Sequence, residues 1–193
     1  MPLKLNPMKR IFDLILALII LALSFIPLIL IAIAVWLTSK GPVLHWSSRV
    51  GKDNRIFSMP KFRTMRLDTP QVATHLLRNP KRYETPTGPF LRKTSLDELP
   101  QLFNIFKGDM SFVGPRPALF NQHDLIQLRT KGKVHHLLPG LTGWAQINGR
   151  DTLSIPDKVA LDVEYLKQQS FVFDIRILWA TVLIVLKRDG VSH

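Results

Sequence analysis

Apolar residues are spread unevenly along this chain. One block near the N-terminus is almost pure hydrocarbon, and the remainder alternates short apolar pulses with basic loops. From Ile11 to Leu37 the sequence reads IFDLILALIILALSFIPLILIAIAVWL, 27 residues whose only charge is Asp13. About 20 apolar residues carry a helix across a bilayer, so this block belongs in lipid. It is too long for the core of a cleavable leader, and no small-x-small site follows it. Lys9 and Arg10 precede Asp13 by four and three residues. Either can pair with it at headgroup level and avoid the roughly 2.5 to 3.5 kcal/mol cost of a charge at mid-membrane.

Two architectures fit this block. Pro27 removes a backbone donor in mid-segment, and Ser24 can bend a helix by bonding back to the carbonyl four residues earlier. Basic residues flank both ends, Lys4, Lys9 and Arg10 before it and Lys40, Arg49, Lys52 and Arg55 after it, so the positive-inside bias draws both termini to the cytoplasmic side. Together these describe a re-entrant helix broken at Ser24 and Pro27. A proline-kinked spanning helix satisfies the same pattern.

Beyond Leu37 the pulses shorten. Gly41 and Pro42 mark a turn, and Val43–Trp46 and Ile56–Phe62 read as strands or extended segments. Asp68–Pro89 carries four prolines and no clean period, which predicts a loop-rich stretch with a short helix at Val72–Leu77. Leu99, Leu102, Phe103 and Phe106 fall at i, i+3, i+4 and i+7 and predict a helix that opens at Ser95 and ends at Gly108. A polar helix follows at Gln122–Leu128, then the loop-like LPGLTGWAQINGR. Ser154 with Asp157 opens an amphipathic helix to Gln168, with Val159, Val163 and Leu166 on one face. The final run, FVFDIRILWATVLIVLKRDG, is interrupted by Asp174 and Arg176. Its uninterrupted apolar part is too short to span, so it predicts a helix in the membrane interface or in the core. The pattern describes an α-rich, β-poor membrane-attached chain, with residues 1–40 the membrane-embedded segment and residues 41–193 a small second domain with amphipathic helices and few short strands.

Composition narrows the partners. Lys and Arg total 26 against 14 Asp and Glu, a formal charge of +12, which favours an anionic partner: nucleic acid, acidic lipid or a phosphorylated substrate. The chain has no cysteine, which excludes disulfides, thiolate metal sites and cysteine nucleophiles. His135 and His136 form the one adjacent histidine pair, and no zinc spacing, P-loop or G-x-G-x-x-G occurs. Nucleic acid is disfavoured because PKFRTM offers only Phe62 among the basic residues as a stacking ring.

Chemistry concentrates in SLDELPQLFNIFKGDMSFVGPRP. Ser95 and Glu98 fit the S-x-x-E capping box, which explains Glu98 and partly explains Asp97 as structure. The functional alternative is a carboxylate held ionised and immobile as a nucleophile or metal ligand, with its neighbour sharing a divalent cation. Adjacent helical residues diverge by about 100°, so the two would divide their roles. Cations for phosphate lie close by in sequence: Arg92 and Lys93, Arg116 between two prolines, Lys61 and Arg63 in PKFRTM, and Arg150 in INGR. A guanidinium on a proline-fixed backbone suits two parallel bonds to phosphate oxygens. Gly140, Gly143 and Gly149 fit turns or a close backbone approach.

KRIFDL, RVG, PKFRTM, LRKTSLDELPQLFNIFKGDMSFVGPRP, PGLTGWAQINGR and DVEYL, in that order, closely resemble the small monotopic polyprenyl-phosphate phosphoglycosyl transferases, the bacterial sugar transferase family. The resemblance covers nearly the whole chain. It implies a monotopic enzyme on the cytoplasmic face of the bacterial inner membrane, with residues 1–40 a re-entrant membrane helix and residues 41–193 a cytoplasmic domain including interfacial helices, that moves phospho-sugar from a UDP-sugar to a polyprenyl phosphate such as undecaprenyl phosphate, releasing UMP and using Mg²⁺. By the same resemblance Asp97 is the nucleophile that forms an aspartyl phospho-sugar, and Glu98 joins it in binding Mg²⁺. Arg92 and Arg116 neutralise phosphate, Lys61 assists, and Arg150 lies near the nucleotide. Direct in-line transfer with Asp97 only as metal ligand is the chemical alternative. Inner-membrane lipids are expected partners, a homodimer is compatible with the sequence, and nucleic acid is not expected. Relatives commonly carry serine directly before the helix-breaking proline, whereas here Phe25 and Ile26 separate Ser24 from Pro27.

Overall fold

A computed structural model describes residues 7–70, 79–149 and 152–187. The apolar block forms one helix, α1, Pro7–Thr38. Its 32 residues correspond to a length of roughly 48 Å. The helix continues through Pro27, so the expected interruption at Ser24 and Pro27 is not a gap in helical structure. Ser24 Oγ donates to the Ile20 carbonyl at 2.6 Å, the back-bond that bends helices. Most of α1 is bare: Leu18, Leu23, Phe25, Ile26 and Leu30 are exposed. Such a surface is stable in lipid and a liability in water.

Both ends of α1 dock on the rest of the chain. Near the N-terminal end, Ala17 joins the main core of Phe57, Met59, Leu102, Ile105, Met110, Phe112, Tyr165, Phe173 and Ile177. Near the C-terminal end, Ile31 and Val35 form a second cluster with Phe62 and Leu91. Lys9 attracts the Asp13 carboxyl electrostatically, as the sequence suggested, but the charged residues of the first turns also reach the folded body. Lys9 forms its salt bridge with Asp174, Arg10 donates to the Ile105 and Phe106 carbonyls, and the Asp13 carboxylate accepts from the Phe112 amide. Arg63, expected among the phosphate cations, is buried and closes the other end of α1 by donating to the Ser39 and Lys40 carbonyls.

Strands β1 (Leu44–Val50) and β2 (Ile56–Phe62) form an antiparallel hairpin, and the sequence had placed β2 at the same bounds. The connecting turn holds Asp53 and Asn54 at φ 54° and 59°, the left-handed region that these residue types tolerate best. Helix α2 (Gly88–Lys93) precedes a 3₁₀ segment, Leu96–Gln101, which runs into α3 (Leu102–Lys107). Strands β3 (Ser111–Val113) and β4 (Ala118–Leu119) flank the GPRP turn. After α4 (His123–Lys131) come β5 (Gly140–Thr142), α5 (Trp144–Ile147), α6 (Ile155–Gln168) and α7 (Phe171–Lys187). Strand order is β2-β1-β4 in one sheet, while β3 pairs with β5 in parallel. The helix expected at Val72–Leu77 lies outside the described residues.

Two expectations for the central helix need correction. Ser95 has φ 55° and caps nothing with its side chain, so the capping box does not form. Pro100 lacks an amide and its ring opposes the carbonyl four residues back, so the first turns wind as 3₁₀ and α-geometry begins at Leu102. The buried face is consequently Leu102, Asn104 and Ile105, with Phe103 exposed. Gly108 does end the helix, at φ 93°. The Ser154 cap also forms, accepting from the Asp157 amide at 3.3 Å. Helix α7 is buried on one side and bare on the other. Phe173, Asp174 and Ile177 are buried, whereas Phe171, Val172, Trp179 and Val182 are exposed.

Candidate active site

The 3₁₀ winding that replaces the capping box determines where the two carboxylates go. Asp97 is buried, 6% exposed, on the segment that packs against β2. Lys61 comes from β2, Arg92 from the last turn of α2 and Arg116 from the GPRP turn; all three pull on the Asp97 carboxyl electrostatically. Glu98 receives a hydrogen bond from Arg116 Nη2 at 2.8 Å. Asp97, Glu98, Lys61, Arg92 and Arg116, chosen from separated stretches of sequence, therefore converge. Arg150 lies outside the described residues. Ser24 and Pro27 belong to α1, apart from this cluster.

Electrostatics within the cluster are uneven. Burial, followed by the neighbouring Glu98, pushes the Asp97 carboxyl up to about 6 against the opposing pull of Lys61, Arg92 and Arg116. At neutral pH it is still mostly ionised, so a desolvated carboxylate stands among cations. Burial pulls the Lys61 ammonium below its usual range, with Asp97 opposing. Burial also lowers Arg92, again with Asp97 opposing.

Sequence reasoning missed Arg49, which it treated as a flanking charge. β1 and β2 are paired with Arg49 opposite Phe57 and His45 opposite Lys61. Strand alternation then puts Arg49 and Lys61 on one face of the hairpin. Burial and the nearby Arg116 draw the Arg49 guanidinium down to about 10, with Glu98 opposing. Arg49 Nη1 donates to the Pro117 carbonyl at 3.2 Å, bracing the turn that carries Arg116. The RVG tripeptide was the available signal. Four cations thus meet two carboxylates, and the surplus suits an incoming polyanion. Among the described residues the buried Arg92 Nη2 has no hydrogen-bond partner; an unsatisfied buried donor is costly, and an oxyanion would satisfy it.

The GPRP turn is held from behind. Arg129 Nη1 donates to the Arg116 carbonyl at 2.7 Å, while its Nε donates to Asp162 at 2.9 Å. Gly140 and Gly143 of PGLTGW serve backbone packing against this turn. A Cβ at Gly140 would sit 2.1 Å from the Gly114 nitrogen, and one at Gly143 would sit 2.1 Å from the Gly114 oxygen. The DVEYL stretch acts as a three-point brace: Asp162 holds Arg129, Glu164 accepts from Trp144 Nε1 at 3.0 Å, and Tyr165 donates to the Val113 carbonyl at 3.2 Å.

The family described as Bacterial sugar transferase matches residues 5–188. The uncharacterized sugar transferase EpsL of Bacillus subtilis is 41% identical over 188 residues, covering 96% of this chain and 91% of that protein. The UDP-glucose:undecaprenyl-phosphate glucose-1-phosphate transferase of Escherichia coli is 43% identical over 183 residues, covering 91% of this chain and 39% of that enzyme. The undecaprenyl-phosphate galactose phosphotransferase of Salmonella typhimurium is 36% identical, covering 95% of this chain and 41% of that enzyme. The chain thus spans nearly all of the Bacillus subtilis protein and about two fifths of the two longer enzymes. A match over almost the whole sequence, together with these identities, makes the chain a member of the bacterial sugar transferase family.

Proposed function

We propose that this protein transfers the sugar 1-phosphate of a UDP-sugar to a polyprenyl phosphate, undecaprenyl phosphate, at the cytoplasmic face of the bacterial inner membrane, as an early step of glycoconjugate assembly. The observation that carries the proposal is a buried carboxylate, Asp97, ionised at neutral pH among Lys61, Arg92 and Arg116. An Asp97 oxygen attacks the sugar-linked phosphorus. The bond from that phosphorus to the bridging oxygen breaks, and UMP leaves with the electron pair. A phosphate oxygen of the polyprenyl acceptor then attacks the same phosphorus, expelling the Asp97 carboxylate and giving the polyprenyl diphospho-sugar. Both steps bring anion to anion, and the four cations offset that charge as it develops. The names of the relatives support donor and acceptor class.

Mg²⁺ fits the residues present. Among the described residues no group of three or more His, Cys, Asp or Glu gathers, but Mg²⁺ binds through one or two carboxylates and completes its shell with water and substrate phosphates. Asp97 and Glu98 are adjacent and would hold it. Bound there, the ion supplies further neutralisation of diphosphate charge.

The docking of α1 supports a re-entrant, monotopic attachment. A spanning helix separates its ends by about 30 Å of hydrocarbon. Here Lys9, Arg10 and Asp13 at one end and Arg63 at the other tie both ends to one folded body, with the apolar flank exposed between them. A panel of UDP-sugars with undecaprenyl phosphate and Mg²⁺, read by UMP release, tests the function. Transfer from at least one donor is expected, and no UMP from any of them would refute the proposal.

A further inference from the structure

We infer that the first turns of α1 are a clasp that sets the spacing between the segment bearing Asp97 and the segment bearing Arg116, which makes Lys9, Arg10 and Asp174 positioning residues. The inference rests on the transfer reaction proposed above. It starts from a mismatch. A basic entry to a membrane helix needs only exposed charge for topology, yet these groups are largely withdrawn from solvent. Asp13 is 2% and Asp174 3% exposed, and the Lys9 side chain is 14% exposed. Burying charge costs free energy unless geometry repays it.

The partners of these residues show the geometry. Arg10 donates to the Ile105 carbonyl at 2.6 Å and the Phe106 carbonyl at 2.9 Å. These belong to the last turn of α3, where a cation is favoured; the Ile105 carbonyl accepts from the Gly108 amide at 3.2 Å as well. Helix α3 continues directly from the 3₁₀ segment that carries Asp97 and Glu98. Lys9 donates to the Val113 carbonyl at 3.1 Å and pairs with Asp174. Tyr165 donates to Asp174 at 2.7 Å and also reaches the Val113 carbonyl. Asp13, one turn after Lys9, accepts from the Phe112 amide at 3.2 Å. Val113 is the residue before the GPRP turn. Neighbouring positions of one rigid turn thus grip the two segments that meet at the Glu98–Arg116 bond, and seating of the membrane helix sets the distance between them.

The test is a double-mutant cycle on the full-length protein in lipid nanodiscs. Lys9→Gln and Arg10→Gln are each expected to lower kcat/KM on the order of tenfold or more, since a displacement near 1 Å can cost that much or more. In an Arg116→Ala background, Lys9→Gln is expected to cost less than about threefold, because the guanidinium it places is gone. Losses that multiply, or unimpaired turnover in both single variants, would overturn the clasp. If Lys9→Gln does not fold, Tyr165→Phe removes a single hydroxyl from the same carbonyl and carboxylate, and the same non-additivity is expected. Vesicle flotation of the variants should match the parent protein; loss of membrane binding in step with activity would assign these residues to anchoring instead. A parent protein that releases no UMP would count against the proposed function, whereas active clasp variants count only against the clasp.

Discussion

Replacing Asp97 with asparagine should strengthen the fold while ending the chemistry. The carboxyl is pushed from 3.8 up to about 6, first by burial and next by Glu98. A gap of just over 2 pH units corresponds to about 3 kcal/mol between the ionised and neutral forms. Because the folded value lies above the unfolded one, the wild-type protein has its full stability below about pH 3.8 and loses some as pH rises through about 6. Asparagine mimics the neutral acid and escapes that loss. For a chain of this length the gain corresponds to roughly 6 to 12 °C in Tm. Thermal unfolding of both proteins in one detergent, from pH 4 to pH 8, reads it directly. The two melting points should converge near pH 4 and separate up to about pH 6, with a constant gap above. A variant that melts at or below the wild type at pH 7.5 would refute the reasoning that Asp97 is held charged against its environment.

Other expectations follow from neighbouring groups. kcat/KM should fall as acidification protonates the Asp97 carboxylate, with the midpoint below about 6 because Mg²⁺ at the same carboxylate favours its ionised form; activity that rises steadily toward acid would remove Asp97 as the attacking group. Arg129→Ala strands Asp162, which is 1% exposed, without its partner, and should cost about 3 to 5 kcal/mol in chemical denaturation along with most turnover. Gly140→Ala sets a Cβ 2.1 Å from the Gly114 nitrogen, so the β3–β5 pair must part; melting should drop by more than the cost of ordinary overpacking, about 1 to 3 kcal/mol. Chelating divalent cations should stop UMP release, with recovery on adding Mg²⁺, and full activity in chelator would exclude a metal at Asp97 and Glu98.

Most of this cluster was legible in the sequence because it is local. Asp97, Glu98, Arg92 and Arg116 lie within one short span, and an arginine between two prolines and a pair of adjacent acids stand out without tertiary context. Arg49 was not legible, since its place beside Lys61 follows from hairpin register, which alternation suggests only once both strands are paired. Ser95 misled because S-x-x-E describes a cap only for an α-helix, and Pro100 denies the first turns that geometry. Lys9, Arg10 and Asp13 read as charges at the start of an apolar helix, but their long-range hydrogen-bond and salt-bridge partners are roughly a hundred or more residues away. Arg63 was indistinguishable in sequence from Lys61, yet its side chain closes the end of α1 and stays out of the site.

The proposed transfer turns on a covalent bond between Asp97 and phosphorus. Intact-mass measurement of the full-length protein, after incubation with an accepted UDP-sugar and Mg²⁺ but no polyprenyl phosphate, tests it most directly. A mass increase equal to one sugar phosphate less one water is expected, mapped to the peptide containing Asp97, absent in Asp97→Asn and discharged when acceptor is added. An unmodified protein that nonetheless turns over once acceptor is present would contradict it.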